Sequence, residues 1–203
     1  MIEKICFYLT NRIRKKLPDI DDEKAEIINY GLQIVIGEIP KIFVLILIAF
    51  LLGVGWLTLL AFILILPYKV FSGGLHLKSH LGCIVGTTLF YCGDVMLSKM
   101  IVLEPVYIKY IIILFIWIFG IAMCKLYAPA DTENVPIISK KERSKKQKLS
   151  YIALTISLVI ACIIQDSVIS NMIIFGMLFQ SLIISRLAYK ITNNKYGHEV
   201  YNN

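Results

Sequence analysis

The sequence predicts an all-α, polytopic integral membrane protein, and its composition, hydropathy and charge distribution are the three observations that indicate it. Hydrophobic residues make up 58% of the 203 residues, and the mean hydropathy is +0.74. A soluble domain is only about 45–50% apolar. Four uncharged stretches approach or exceed the roughly 20 residues that span a bilayer: 42–66, 110–124, 149–165 and 167–185. The charged residues all lie outside these stretches, and a high apolar content with basic charge segregated in this way indicates a polytopic membrane protein and not a nucleic-acid-binding protein.

The first 26 residues are predicted to be a cytoplasmic N-terminal segment that contains an amphipathic helix on the inner leaflet. Ile5, Leu9, Ile13 and Leu17 recur about once per helical turn among basic residues, a pattern typical of interfacial helices. A solvated basic tail is the alternative. The apolar residues are interrupted by charges, so no cleavable signal peptide is expected. An acidic run after Pro18 then favours the start of a second helix.

Six transmembrane helices are predicted, at about 27–53, 55–71, 81–98, 106–124, 149–165 and 168–186. The first of them has to carry Glu38, Pro40 and Lys41, and Gly53 and Gly55 form the turn after it. Basic residues concentrate in segments 1–24 and 125–148, and Lys/Arg-rich segments remain cytoplasmic. Residues 1–203 are therefore expected to form one membrane-embedded domain. Both of its termini and the 67–83 loop are expected to face the cytoplasm.

A four-crossing alternative remains open from the charge pattern. In it residues 42–66 form a single helix and 81–98 do not cross, which places Cys83 outside the cell. Both arrangements satisfy the even number of crossings required between the two basic segments.

The loop at 67–83 contains the residues that are best suited to catalysis. A cysteine becomes a useful nucleophile when a base or cation is near its thiol, and His76 and His80 are the histidines close to Cys83. On one uninterrupted helix the Cα atoms of His76 and Cys83 would be about 10.5 Å apart. A pair of these two therefore needs a bend, which the glycines at 73, 74 and 82 allow, whereas His80 reaches Cys83 without one.

Other interpretations of this loop stay open at this stage. The spacing H-x3-H-x2-C offers three potential zinc ligands in His76, His80 and Cys83, and an interfacial loop with incidental histidines is also consistent. Ser79 is better placed to cap a helix that begins at His80 than to take part in catalysis. The cysteines at 92, 124 and 162 lie in apolar runs and are expected to be small side chains buried in the membrane, without a disulfide framework.

Two blocks of this sequence resemble the accessory gene regulator B (AgrB) family of bacterial membrane endopeptidases. The first is a basic residue, then Gly-x-His, then a cysteine seven positions later, matched by Lys69, Gly74, His76 and Cys83. The second is the Tyr-Ala-Pro-Ala segment at 127–130, with Pro-Ile and a basic run after it. Gln33 matches a glutamine that the family keeps before its first apolar stretch.

The resemblance implies a cysteine endopeptidase of the bacterial cell membrane that faces the cytoplasm. Cys83 would be the nucleophile and His76, rather than His80, the base, with Gln33, Lys69 and Gly74 supporting them. The enzyme would remove the C-terminal tail of a small AgrD-like propeptide and allow the resulting thioester to cyclise to a thiolactone or lactone.

The resemblance implies no metal and no cofactor, and it is compatible with a homodimer in the bilayer. Lys69 stands where better-known members have arginine. Asp131 and Glu133, in the second block, are candidates for orienting an imidazole. The alternative function is a non-enzymatic exporter or a metal-binding sensor that uses His76, His80 and Cys83.

Overall fold

The computed structural model describes residues 2–17, 21–75, 77, 79–133, 136–137 and 139–201. The chain divides into two compact units, one up to residue 47 and the other from residue 48 onward. The described residues form nine helices and no strands, which confirms the all-α prediction. The helices are α1 (Ile2–Lys16), α2 (Asp22–Leu51), α3 (Gly55–Ser72), α4 (His80–Met100), α5 (Val106–Tyr127), α6 (Lys140–Ile163), α7 (Ser167–Ile183), α8 (Arg186–Ile191) and α9 (Gly197–Tyr201).

The first unit contains α1 and most of α2. The hydroxyl of Thr10 on α1 donates to the side-chain carbonyl of Asn29 on α2 at 3.4 Å. Asp21 caps the start of α2, because its carboxylate accepts the backbone N–H of Lys24 at 2.8 Å. The predicted N-terminal helix and the start of a second helix at the acidic run are both confirmed. As predicted, α2 continues through Pro40.

A sharp turn separates α2 from α3. Gly53 adopts a φ of 71°, which favours glycine, and its amide donates to the carbonyl of Phe50. Phe50 and Trp56 pack edge to face across the turn, with ring centroids 5.5 Å apart. Residues 42–66 therefore do not form the single helix that the four-crossing alternative requires.

The second unit is a bundle in which α7 packs against α3, α4, α5 and α6. Most of α7 is buried, and it uses polar side chains to tie its neighbours together. Asn171 donates to the carbonyl of Ile101 at 2.7 Å, and Ser170 donates to the carbonyl of Ala161 at 2.8 Å. Such bonds satisfy polar groups that have no water to bind inside a bilayer.

Among the residues that the structure describes, four helices, α3 to α6, are long and apolar enough to cross a membrane, and α7 is a shorter apolar helix of 17 residues. Helices occupy all six predicted spans, while the number of crossings stays a prediction. One boundary was wrong: α6 begins at Lys140, so the basic run 140–148 forms its first turns and does not belong to a loop. Ser139 caps this helix by accepting the amide of Glu142, and a capped, lysine-rich segment has good helix propensity.

Candidate active site

The loop between α3 and α4 begins at Gly73, a position that only glycine can occupy. Gly73 has φ 78° and ψ −157°, a region almost restricted to this residue. A Cβ on Gly73 would lie only 2.3 Å from the carbonyl oxygen of Ala130. The chain therefore leaves α3 in a direction that brings it against the segment after α5.

The loop ends at a capped helix that carries Cys83 near its start. The hydroxyl of Ser79 accepts the backbone N–H of Gly82 at 3.0 Å, and α4 begins at His80. Both features confirm the predicted capping role of Ser79. The amide of Cys83 donates to the carbonyl of Ser79 at 3.0 Å, so Cys83 lies about one turn into α4. The N-terminal end of a helix favours negative charge, including that of a thiolate.

The half-buried thiol of Cys83 faces the loop that precedes its helix. Its sulfur lies 3.6 Å from the carbonyl oxygen of Leu77 and donates weakly to it. Leu77 packs across α4 at two glycines, since a Cβ on Gly82 or Gly86 would come within 3.4 or 3.2 Å of its side chain. The absence of side chains on these glycines lets the loop fold back over Cys83.

This arrangement supplies the bend that the sequence required between His76 and Cys83. Leu77 is non-helical and Ser79 is extended, so α4 does not reach back to residue 76. His76 itself lies outside the described residues. The side chains of His80 and Gln33, although both residues are helical, are also outside the described part, so their predicted roles remain predictions.

The two sequence blocks that carry the family resemblance meet in space. The amide of Gly74 donates to the carbonyl of Ala130 at 2.9 Å, and the amide of Ala130 donates to the carbonyl of Ser72 at 2.8 Å. These bonds form a short parallel bridge between residues 73 and 130. Both loops therefore lie at the same end of the bundle, whereas the four-crossing alternative places them on opposite sides of the membrane.

Gln180 of α7 holds the start of the Cys83 loop. Its fully buried amide nitrogen donates to the carbonyl of Gly73 at 2.7 Å and to the hydroxyl of Ser72 at 2.9 Å. Gly74 passes directly over it, because a Cβ there would lie 3.8 Å from the Gln180 nitrogen. The sequence offered no signal for this role, since Gln180 is an isolated polar residue in an apolar stretch more than 100 positions from the loop.

Lys69, one of the predicted supporting residues, lies against α4. Its ammonium group is 5.4 Å from the centre of the Phe90 ring and 5.3 Å from that of Tyr91, within the range of a cation–π interaction. These rings are seven and eight residues after Cys83, about 10–12 Å further along the helix. In this arrangement Lys69 links the end of α3 to α4 and helps to fix the loop between them.

Asp131 does contact an imidazole, as the sequence suggested, and the described partner is His198. The side-chain oxygen of Asp131 is 2.7 Å from Nδ1 of His198, and Arg143 lies 3.3 Å away as an ion pair. Its other oxygen accepts the amides of Ile137 and His198, both at 2.9 Å. Burial raises the pKa of this carboxyl, but the His198 and Ile137 hydrogen bonds and the charges of His198 and Arg143 outweigh it, so the pKa is lowered.

The C-terminal tail thus packs on the second block through His198 and Asp131. Tyr196 stacks on Tyr189 with ring centroids 4.1 Å apart, and its hydroxyl donates to the carbonyl of Ile184. A Cβ on Gly197 would lie 2.4 Å from the carbonyl oxygen of Thr132. The tail, residues 128–133 and the Cys83 loop therefore share one end of the bundle.

Comparison with known proteins identifies the family of the chain. The family model described as "Accessory gene regulator B" matches residues 6–184, which is nearly the whole chain. The chain belongs to the accessory gene regulator B family. This membership places it in the processing of accessory gene regulator quorum-sensing peptides, where the family acts with an AgrD-like propeptide in the membrane.

Relatives from two bacterial genera agree with this assignment. An AgrB-like protein of Listeria innocua is 30% identical over 189 residues, covering 89% of this chain and 87% of the relative. An AgrB-like protein of Clostridium acetobutylicum is 24% identical over 198 residues, covering 97% and 91%. No solved structure matches the chain significantly.

Proposed function

We propose that the protein is a cysteine endopeptidase in which Cys83 attacks the propeptide and His76 acts as the base. The observation that carries this proposal is the contact between the Cys83 sulfur and the carbonyl of Leu77, the residue that follows His76 in the chain. The loop folds back at this point, and the thiol is half-buried at the start of a helix. A nucleophile at a helix N-terminus, close to a loop that carries a histidine, is a common setting for a reactive cysteine.

The bond changes follow from ordinary acyl transfer. His76 takes the proton of the Cys83 thiol, and the sulfur attacks the carbonyl carbon of the peptide bond that precedes the propeptide tail. The bond to the leaving nitrogen breaks, and the imidazolium returns the proton to the released amine. The rest of the propeptide is then held on Cys83 as a thioester.

Ring closure needs no additional energy source. A thiol or hydroxyl of the propeptide attacks the thioester carbon, the Cys83 sulfur leaves and regains a proton, and a thiolactone or lactone forms. Exchange of one thioester for another is nearly balanced in free energy, so formation of a thiolactone requires no nucleotide.

The fixed loop gives the supporting residues a physical role in this reaction. Gly74 is bonded to Ala130 and passes over Gln180, while Lys69 lies against α4. We infer that they act as positioning residues, which hold the loop carrying His76 at the start of α4. Their substitution should lower the rate more than it changes propeptide binding.

The clustering at one end of the bundle favours a cytoplasmic site. The Cys83 loop, the start of the lysine-rich α6 and the tail all lie there, and Lys/Arg-rich segments remain on the cytoplasmic side. A membrane-impermeant maleimide should therefore label Cys83 in inverted membrane vesicles and not in intact cells. Labelling of Cys83 in intact cells would contradict the orientation without affecting the proposed chemistry.

The main test is co-expression of the chain with its propeptide, with cleavage followed by mass spectrometry. Cys83→Ala should abolish cleavage. Cys162→Ala is the matched control, because Cys162 is another half-buried cysteine but lies at the far end of α6. Propeptide cleavage by Cys83→Ala at the wild-type rate would end the proposal.

The two histidines are separated in the same assay. His76→Ala should abolish cleavage, whereas His80→Ala should retain a substantial part of it, because the family resemblance assigns the base to His76 although His80 lies on the same helix as Cys83. The reverse result would transfer the role of base to His80 and leave Cys83 as the nucleophile.

An exporter function is less well supported. A translocation path needs polar side chains free to line it, yet the buried polar residues of α7 are used within the bundle. Ser181 bonds Tyr68 and the carbonyl of Met177, and Asn171 bonds the end of α4.

A further inference from the structure

An apolar groove lies between α3 and α6, and the proposed reaction does not use it. The groove has a volume of about 280 Å³. Ile63 and Phe71 mark its ends on α3, and Ile160 and Leu149 mark them on α6. Large apolar side chains along it, including Ile63 and Ile156, are more than half exposed in the isolated chain.

The groove has the length of one leaflet. Ile63 and Phe71 are eight residues apart and Leu149 and Ile160 eleven, which correspond to about 12 and 16 Å along their helices. The hydrocarbon core of a bilayer is about 30 Å thick, so one leaflet contributes about 15 Å. The groove therefore suits a single acyl chain that runs from the membrane surface to the midplane.

One end of the groove continues into positive charge. On α6 the lining residues Ile160, Ile156 and Ile152 recur every four positions, and the next residue in that row is Lys148. The neighbouring row, which contains Ala153 and Leu149, continues to Lys145.

Both lysines are exposed, and neither makes an ion pair with any residue that the structure describes. They lie where the polar part of α6 gives way to its apolar part, which is the level of lipid headgroups. Long lysine side chains readily extend to that level.

We propose that this groove binds an anionic phospholipid, with one acyl chain between α3 and α6 and the phosphate bound by Lys145 and Lys148. Basic residues beside a groove between transmembrane helices are a recognised arrangement for anionic headgroups. A zwitterionic lipid would fill the same groove but would gain much less from the two lysines. The match between groove length and leaflet depth favours a lipid over a peptide.

The test is native mass spectrometry of the purified full-length chain in mild detergent. The protein is exposed to phosphatidylglycerol or phosphatidylcholine with identical acyl chains, and the retained lipids are counted. The wild-type chain should retain phosphatidylglycerol about tenfold more strongly than phosphatidylcholine, since each lysine near a membrane surface strengthens the binding of an anionic lipid. Equal retention of the two lipids would overturn the proposal.

Two pairs of variants locate the binding. Lys145→Gln with Lys148→Gln should remove the preference, while Lys190→Gln with Lys195→Gln removes the same charge from α8 and the tail and should preserve it. Ile156→Trp should fill the groove and reduce retention of phosphatidylglycerol. Ile118→Trp, at a similarly exposed position on α5, should not.

The outcome does not depend on the folding of the tryptophan variants, because the lysines are exposed and their replacement leaves the packing intact. A double lysine variant that keeps the wild-type preference would reject the proposal. Loss of propeptide binding in Ile156→Trp with unchanged lipid retention would also reject the proposal, because the groove would then bind the propeptide and not a lipid.

Discussion

Gly73 lies so close to Ala130 that no side chain fits between them. The contact joins the end of α3 to the segment after α5, and its two flanking hydrogen bonds are 2.8 and 2.9 Å long. The position of the Cys83 loop therefore depends on a segment more than 50 residues away in the chain.

Gly73→Ala should destabilise the protein and strongly reduce propeptide cleavage. The backbone conformation at Gly73 costs other residues about 1–3 kcal/mol, and the contact with the Ala130 carbonyl adds to it. Gly93→Ala is the control, because a Cβ there meets nothing within 4 Å. The melting temperature of the purified protein and the rate of propeptide cleavage measure the two effects. A Gly73→Ala variant as active as Gly93→Ala would show that the loop does not need this contact.

Ser79→Ala should reduce activity more than its effect on stability would suggest. The change removes the cap of α4, which costs about 1 kcal/mol, and frays the turn that carries Cys83. We expect the cleavage rate to fall about fivefold or more, and Ser79→Asp to restore it because aspartate also caps helices.

Ser139→Ala is the matched control for this effect, since Ser139 caps α6 in the same way. It should lower the melting temperature to a similar extent and leave cleavage nearly unchanged. Equal losses of cleavage in the two alanine variants would indicate a general effect of stability.

The sequence predicted the local features of this fold well. Ser79 as a cap, Gly53 in a turn and an α2 helix that continues through Pro40 were all confirmed, because each depends on a few neighbouring residues. The start of α6 was missed because charged residues were assigned to a loop, although lysine and glutamate are good helix formers.

The contacts that assemble the candidate site could not be predicted from the residues alone. Gln180 reaches Gly73 across 107 positions, and His198 reaches Asp131 across 67. Hydrophobic periodicity predicts which residues form a helix but not which of its polar residues will face a particular loop. The two sequence blocks were linked only through the family resemblance, and the bridge between Gly73 and Ala130 now shows that they are also in contact.

Attachment of the C-terminal tail should resist mild acid and fail in strong acid. The folded-state pKa of Asp131 is lowered, so its contribution to stability is present above the unfolded value of about 3.9. This contribution is lost as the pH falls through the lower folded value. Hydrogen exchange at the amides of residues 196–199 should therefore remain slow, after correction for intrinsic rates, from pH 7 to 5 and accelerate below about pH 4.

Asp131→Ala should release the tail at neutral pH, because it removes the contacts to His198, Ile137 and Arg143 together. The loss is about 1–3 kcal/mol, and trypsin should cleave after Lys195 more rapidly. Glu199→Gln is the control, since Glu199 forms only an exposed pair with Arg186. Equal protection of the tail in Asp131→Ala and the wild-type chain would contradict this role.

Gln180→Met should loosen the Cys83 loop while preserving the packing of α7. Methionine has a similar length but donates no hydrogen bond, so the carbonyl of Gly73 and the hydroxyl of Ser72 lose their buried donor. An unsatisfied buried group costs about 1–3 kcal/mol. We expect a lower melting temperature, and several-fold faster modification of Cys83 by a small thiol reagent, because the loop packed over its sulfur opens more often.

Gln165→Ala provides the comparison, since Gln165 is an exposed residue in the turn between α6 and α7. It should alter neither the melting temperature nor the reactivity of Cys83. The thiol measurement separates the two explanations of a loss in activity. A global destabilisation would also raise the reactivity of buried Cys92 and Cys124, whereas release of the loop should affect Cys83 alone. Unchanged Cys83 reactivity in Gln180→Met would mean that the bridge to Ala130 holds the loop without Gln180.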